Sequence, residues 1–330
     1  NVYGKLRQPQ RAIEYFQQVL SLLLDLGEIG TSKVRALTLL NLSSEYNQIG
    51  LLQQALIHSQ NALTIFSSLN EMQTRMERAI LYANRGNIYQ KLEQPHLAVK
   101  SYQQALSLFS TCEKNKTREE RADLHANMGM IFKKCRLQQS ALHHYPEAQI
   151  LNQQLWCNGM HHRAEDMAKC TAQVLDVFVL NHRDPHTPAA YIEESLKLAV
   201  QALEVWNQAP LQTTDPDRAL LHWTLSVVEA CGQVQAALAD KPLPMGSEQA
   251  ALLAALQPAR SHWLNLAQRV LALAEPDLNN EFDEATRPLL EAVLENAVQS
   301  SDATWAAHWA LQTQGYRSRQ QQIVQAAQAQ

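Results

Sequence analysis

A register of 43 residues runs through the first half of the chain and constrains its fold more than any other feature. Tyr3, Tyr46, Tyr89 and Phe132 follow one another at intervals of 43, as do Leu6, Ile49, Leu92 and Cys135. The same interval relates Ala12, Ala55, Ala98 and Ala141, then Phe16, Ser59, Tyr102 and Tyr145, then Val19, Ala62, Ala105 and Ala148. Upstream, Arg35-Ala36, Arg78-Ala79 and Arg121-Ala122 recur in phase, with Arg163-Ala164 one residue early. Self-similarity at a fixed period of this length marks an array whose units bury their faces against one another.

Each unit reads as two antiparallel helices. In the second unit the first helix (A) is expected over Ser32–Ile49 and the second (B) over Leu52–Leu69, with Gly50 and its counterparts Arg7, Glu93 and Arg136 at the tight turn. Ser43, Gly86 and Gly129 on helix A and Ala55, Ala98 and Ala141 on helix B are small enough to let the pair approach closely, and the Tyr46 column fills space between units. Composition agrees: 10 Gly and 12 Pro in 330 residues are too few turn formers for a sandwich, a barrel or a chain of βαβ units. At 46% apolar and 18% charged, the chain has the material for a core and lacks the signature of disorder.

The order small, aromatic, Ala, aromatic, Ala in Gly86, Tyr89, Ala98, Tyr102 and Ala105 resembles the tetratricopeptide repeat (TPR). That family's unit is ordinarily shorter. A 43-residue period resembles the extended variety of kinesin light chains and of bacterial arrays that precede caspase-like CHAT proteases. The resemblance covers about residues 1–160. Two residues depart from it: Ser59 replaces an aromatic, and Pro146 falls inside a helix B, where a kink is expected. The chain opens at Asn1-Val2-Tyr3, in the last turn of a helix A, so the first repeat is truncated.

After Gly159 the columns fade, and residues 161–330 read as divergent helical hairpins or as a helical C-terminal domain. Pro-containing turns separate candidate helices Arg163–Leu180, Pro188–Trp206, Pro216–Ala239, Ser247–Ala274, Asp283–Gln299 and Asp302–Ala327. Charge divides as well: residues 1–160 carry 17 Lys and Arg against 12 Asp and Glu, and residues 161–330 carry 11 against 20. Docking of the acidic half against the first half is therefore a further possibility.

The most informative polar column is Asn41, Asn84 and Asn127, again 43 residues apart on helix A. A short amide side chain offers both donors and an acceptor, which suits pairing with the backbone of an extended peptide. The resemblance implies that helix A lines a concave groove and that these asparagines clasp a ligand there; the alternative is helix-to-helix bonding that fixes repeat orientation. Ser44, Asn87 and Met130 lie one turn along, and Asn47, Gln90 and Lys133 one turn further. A lysine column (Lys5, Lys91, Lys134), with Arg85 and Lys133 near it, favours acidic or phosphorylated ligand segments if it faces the groove. Solvent-facing lysine is the plainer reading of that column.

Other chemistry is not supported. His161-His162, His182 and His186 lack zinc-ligand spacing, and His182-Arg183-Asp184 has none of the accompanying kinase motifs. No phosphate-binding glycine loop occurs. The Lys114-Asn115-Lys116-Thr117-Arg118 cluster is expected in a solvated inter-repeat loop, and a pI near 6.3 speaks against a general nucleic-acid footprint. No apolar run is long enough for a membrane span and no secretory signal is visible. Five scattered cysteines fit a reducing, cytoplasmic compartment. The sequence thus reads as all-α: a right-handed α-solenoid (TPR superhelix) of antiparallel helical hairpins. Its expected role is that of a non-catalytic scaffold or sensor that needs no cofactor or metal and binds a protein or peptide, neither nucleic acid nor membrane. The alternatives are the regulatory portion of a larger enzyme, such as a CHAT-type protease, and a peptide-responsive signalling regulator.

Overall fold

The computed structural model describes residues 8–26, 31–110, 115–160, 163–208, 218–241, 243, 249–256 and 258, and among them there are helices and no strand. The described residues form an all-α array of helical repeats. The chain forms two compact units, Asn1–Leu137 and Gln138–Gln330.

The first unit contains α1 (Pro9–Asp25), α2 (Ser32–Gln48), α3 (Leu52–Ser68), α4 (Glu71–Lys91), α5 (Pro95–Phe109) and α6 (Asn115–Lys134). Pro9 and Pro95 open α1 and α5, where a missing N–H is harmless. The hairpins are α2/α3 and α4/α5; α1 also packs on α2, α3 on α4, and α5 on α6. Every described column alanine is sealed, with Ala12, Ala36, Ala55, Ala62, Ala79, Ala98, Ala105 and Ala122 all at 0% exposure. Between them lie clusters built on Phe16 and Leu42, on Leu39 and Phe66, and on Tyr102, Phe109 and Met128.

The turns that follow α2, α4 and α6 repeat as faithfully as the core. Gly50, Glu93 and Arg136 have φ of +80°, +56° and +58°. Around them Leu51, Gln94 and Leu137 donate their N–H to the carbonyls of Tyr46, Tyr89 and Phe132 at 2.9, 2.9 and 2.8 Å. Gly50, Glu93 and Arg136 themselves donate to Asn47, Gln90 and Lys133 at 3.3, 3.1 and 3.0 Å. This pair of bonds is the Schellman closure, which satisfies otherwise orphaned carbonyls by passing one residue through the left-handed region. Helix α6 starts at Asn115, with Thr117 fully buried, so Asn115–Arg118 form its first turn and not the expected loop. A run of charged residues is compatible with a helix start when one side of that turn, here Thr117, faces the core.

The second unit contains α7 (Gln138–Cys157), α8 (Ala164–Arg183), α9 (Ala189–Gln208) and α10 (Arg218–Asp240). Helix α7 carries the repeat's buried Ala141, Tyr145 and Ala148, and it continues through Pro146. Helix α8 packs against α7, α9 and α10, which is why apolar residues recur around most of its circumference. Gln149 ties three helices together, its Nε2 donating to Thr171 Oγ1 at 2.7 Å and to the Ala202 carbonyl at 2.8 Å. The expected division at residue 160 marks where the columns fade, whereas the compact units part between Leu137 and Gln138. Part of Ser247–Ala274 is helical at 249–256, while Asp283–Gln299 and Asp302–Ala327 lie outside the described residues, as do Tyr3, Lys5, Leu6 and Arg7.

Candidate functional site

The asparagine column sits on the A helices of the first unit, Asn41 on α2, Asn84 on α4 and Asn127 on α6, and all three are half-buried. Among the described residues the side chains of Asn41 and Asn84 make no hydrogen bond within the chain. Asn127 makes one long contact, its Nδ2 lying 3.4 Å from Asn87 Oδ1. A half-exposed amide whose donors and acceptor are not spent internally can pair with an incoming backbone at little cost.

Asn87 and Gln90 are placed differently. The Tyr102 hydroxyl on α5 lies 2.7 Å from Asn87 Oδ1 and 2.9 Å from Gln90 Oε1. A phenol has one proton, so it donates to one of these two oxygens at a time, Asn87 Oδ1 being the nearer. Tyr102 itself is fully buried, which raises its phenol well above the ordinary range by desolvation. Asn87 is therefore held from two sides, by Tyr102 within its hairpin and by Asn127 from the next repeat. Sequence spacing places both residues on the asparagine side of the helix but does not reveal that a buried tyrosine from helix B reaches them.

The lysines form no uniform row. Lys91 Nζ donates to the Asn47 carbonyl at 2.9 Å, bridging the C-terminal end of α2 from the next repeat, where helix carbonyls favour a cation. Lys134 is exposed, Lys133 half-buried, and Ser44 and Met130 are half-buried beside the asparagine column.

Arg85 lies near the lysine column in sequence but bonds elsewhere. Its Nη1 donates to Gln60 Oε1 on α3 at 2.8 Å and its Nη2 to Tyr89 Oη at 3.1 Å, with the guanidinium 5.8 Å from the Tyr89 ring centre. One residue along a helix is a rotation of about 100°, so Arg85 shares a face with Tyr82 and Tyr89 while Asn84, Asn87 and Lys91 share the other. Its column gives the clue that was available: Leu42 and Met128 are its counterparts at 0% and 1% exposure, both packed in the core.

His182 and His186 occupy a helix end and the turn after it. His182 is buried at the end of α8, its Nε2 lying 2.6 Å from the Lys241 carbonyl, and Asp184 closes the following turn by accepting the His186 N–H at 2.9 Å. Cys170 and Cys231 are buried and Cys135 and Cys157 exposed; Cys112, His161 and His162 lie outside the described residues. Among the described residues no cluster of three or more His, Cys, Asp or Glu could hold a metal, and no helix is long and apolar enough to cross a membrane.

No curated protein matches the chain. A family model does match part of it: residues 79–112 fit the tetratricopeptide repeat. The matched stretch begins eight residues inside α4 and takes in all of α5. The residues by which this repeat exceeds the family's usual length therefore include the first two turns of helix A. Over this stretch, which holds the Gly86–Tyr102 contact and the Schellman turn at Glu93, the chain is similar to the tetratricopeptide repeat, a family of helical protein-binding modules.

Proposed function

We propose that the first unit is a non-catalytic recognition module that holds an extended peptide segment of a partner protein along the A helices, with Asn41, Asn84 and Asn127 pairing with the peptide backbone. The observation that carries this reading is the in-phase, half-exposed placement of three amides, two of which spend nothing on hydrogen bonds among the described residues. Ser44, Asn87, Gln90, Met130, Lys133 and Lys134 border that row and would select among peptides. Lys91 and Lys134 bias the choice toward acidic segments, and screening limits this to a modest effect. The 43-residue period resembles that of the extended repeats of kinesin light chains and CHAT-associated proteins, and on that resemblance the wider role we assign is that of a sensor attached to an effector.

The test is selection of a random peptide library on the wild-type protein, followed by affinity measurement on the Asn84→Ala/Asn127→Ala variant. Each lost backbone bond is worth about 0.5–1.5 kcal/mol, so the double variant should bind selected peptides about tenfold more weakly or worse. Its circular dichroism should stay unchanged. Equal binding by both proteins would remove the asparagines from the site, and an unfolded variant would make them structural.

A further inference from the structure

A second polar feature lies on the far side of α4 from the asparagines. Gln60, Tyr82, Arg85, Tyr89 and Lys100 border an open cavity of about 290 Å³ between α3, α4 and α5, floored in part by Leu63 and Leu97. Its origin is a break in the repeat. In the preceding interface Leu42 fills the corresponding space, and Gln17 Nε2 donates directly to Tyr46 Oη at 3.0 Å. One repeat on, the same columns hold Gln60 and Tyr89, and Arg85 replaces the leucine between them and bonds to both. A direct amide–phenol contact has been opened and a guanidinium inserted.

That substitution is costly unless something compensates for it. A half-buried guanidinium is desolvated, and two neutral acceptors do not neutralise its charge. No carboxylate borders the cavity, and among the described residues Arg85 has no ion-pair partner. Lys100 adds a second cation at the rim. The remaining guanidinium N–H groups have no acceptor among the described residues, and Arg is the side chain best shaped for an oxyanion. The tyrosine rings and leucines beside it suit a compact apolar stem. The volume falls near the lower end of the range for small-molecule sites.

The geometry points to a second ligand site, separate from the peptide groove, that takes a small organic oxyanion: a phosphate monoester or carboxylate on an aromatic or short apolar body. Arg85 is its anchor, held in position by Gln60 and Tyr89, and Lys100 assists from the rim. The site is independent of the peptide-binding proposal, because its residues occupy the opposite face of α4.

Phenyl phosphate, benzoate, inorganic phosphate and the neutral control phenol can each be titrated into the purified full chain by calorimetry. Phenyl phosphate or benzoate should bind, the better of the two identifying the preferred oxyanion, with inorganic phosphate weaker and phenol weakest. Arg85→Met restores the residue type of the neighbouring repeat, so it should fold, retain its melting temperature, and lose at least about tenfold in affinity. Lys100→Gln, at an exposed position, should weaken binding a few-fold without affecting the fold. Asn84→Ala/Asn127→Ala should bind these probes as the wild type does. The proposal is overturned if no anion binds at concentrations up to about 10 mM, if phenol binds as well as phenyl phosphate, or if both Arg85→Met and Lys100→Gln bind like the wild type.

Discussion

Gly86 on α4 lies so close to the Tyr102 ring on α5 that a Cβ at that position would sit 2.2 Å from Cε1 and 2.3 Å from Cδ1. The preceding repeat solves the same problem with other volumes. There the two columns hold Ser43 and Ser59, both fully buried, and Ser43 Oγ donates to the Ala55 carbonyl at 2.9 Å. A small residue on helix A permits the large one on helix B, and the large one positions Asn87 and Gln90. Helix-pair packing and the placement of Asn87 and Gln90 are thus linked through one contact.

Gly86→Ala should therefore destabilise the first unit even though alanine is the better helix former. The propensity gain is about 1 kcal/mol, whereas overpacking against a buried ring costs about 1–3 kcal/mol. Tyr102→Ser alone should cost about 3–5 kcal/mol by leaving a cavity. The double change Gly86→Ser/Tyr102→Ser, which reproduces the neighbouring repeat, should cost measurably less than the sum of the single changes Gly86→Ser and Tyr102→Ser. Urea denaturation of the four proteins checks this.

The turn column makes a prediction of opposite sign. Glu93 and Arg136 adopt a left-handed conformation that costs a side-chain-bearing residue about 1–2 kcal/mol. Glu93→Gly and Arg136→Gly should each raise stability by about 0.5–1 kcal/mol, part of the strain relief being offset by the greater freedom of glycine in the unfolded chain. Gly50→Ala should lower it by a similar amount. Thermal melts of the three variants decide the matter.

Acid should weaken the second unit. Burial, reinforced by the neighbouring His143, pushes the His144 imidazole down from 6.5 to about 4. Between those values the unfolded chain binds a proton that the folded one rejects. The contribution is therefore fully present above pH 6.5 and is lost as the pH falls toward 4. His144→Gln, neutral throughout, should flatten the decline in melting temperature between pH 7 and 4.5. An unchanged slope in that variant would assign the acid sensitivity to other groups.

Much of the first unit could be read before any coordinates. The helix expected over Ser32–Ile49 is Ser32–Gln48, and Leu52–Leu69 is Leu52–Ser68, because columns that must pack also mark where packing stops. The turn column was legible as a position. That Glu93 and Arg136 adopt the glycine-like conformation was not, since closure of the helix end overrides the preference of the residue. Nearness of Arg85 to the lysine column in sequence did not reveal where it bonds, because each residue along a helix turns the direction by about 100°. Its true environment lay in the column itself, where its counterparts Leu42 and Met128 are core residues. The engagement of Asn87 and Gln90 by Tyr102 depends on a contact between residues 15 and 12 positions apart on paired helices, which periodicity alone does not specify.

Pairing of the in-phase asparagines with a peptide backbone would be read most plainly in the side-chain amide spectrum. The Nδ2 resonances of Asn41, Asn84 and Asn127 can be assigned with single alanine variants and followed while a library-selected peptide is titrated. The Asn84 and Asn127 resonances should move together in step with binding, and their exchange with water should slow as backbone hydrogen bonds form. A peptide that saturates the protein while those resonances stay in place would contradict that pairing.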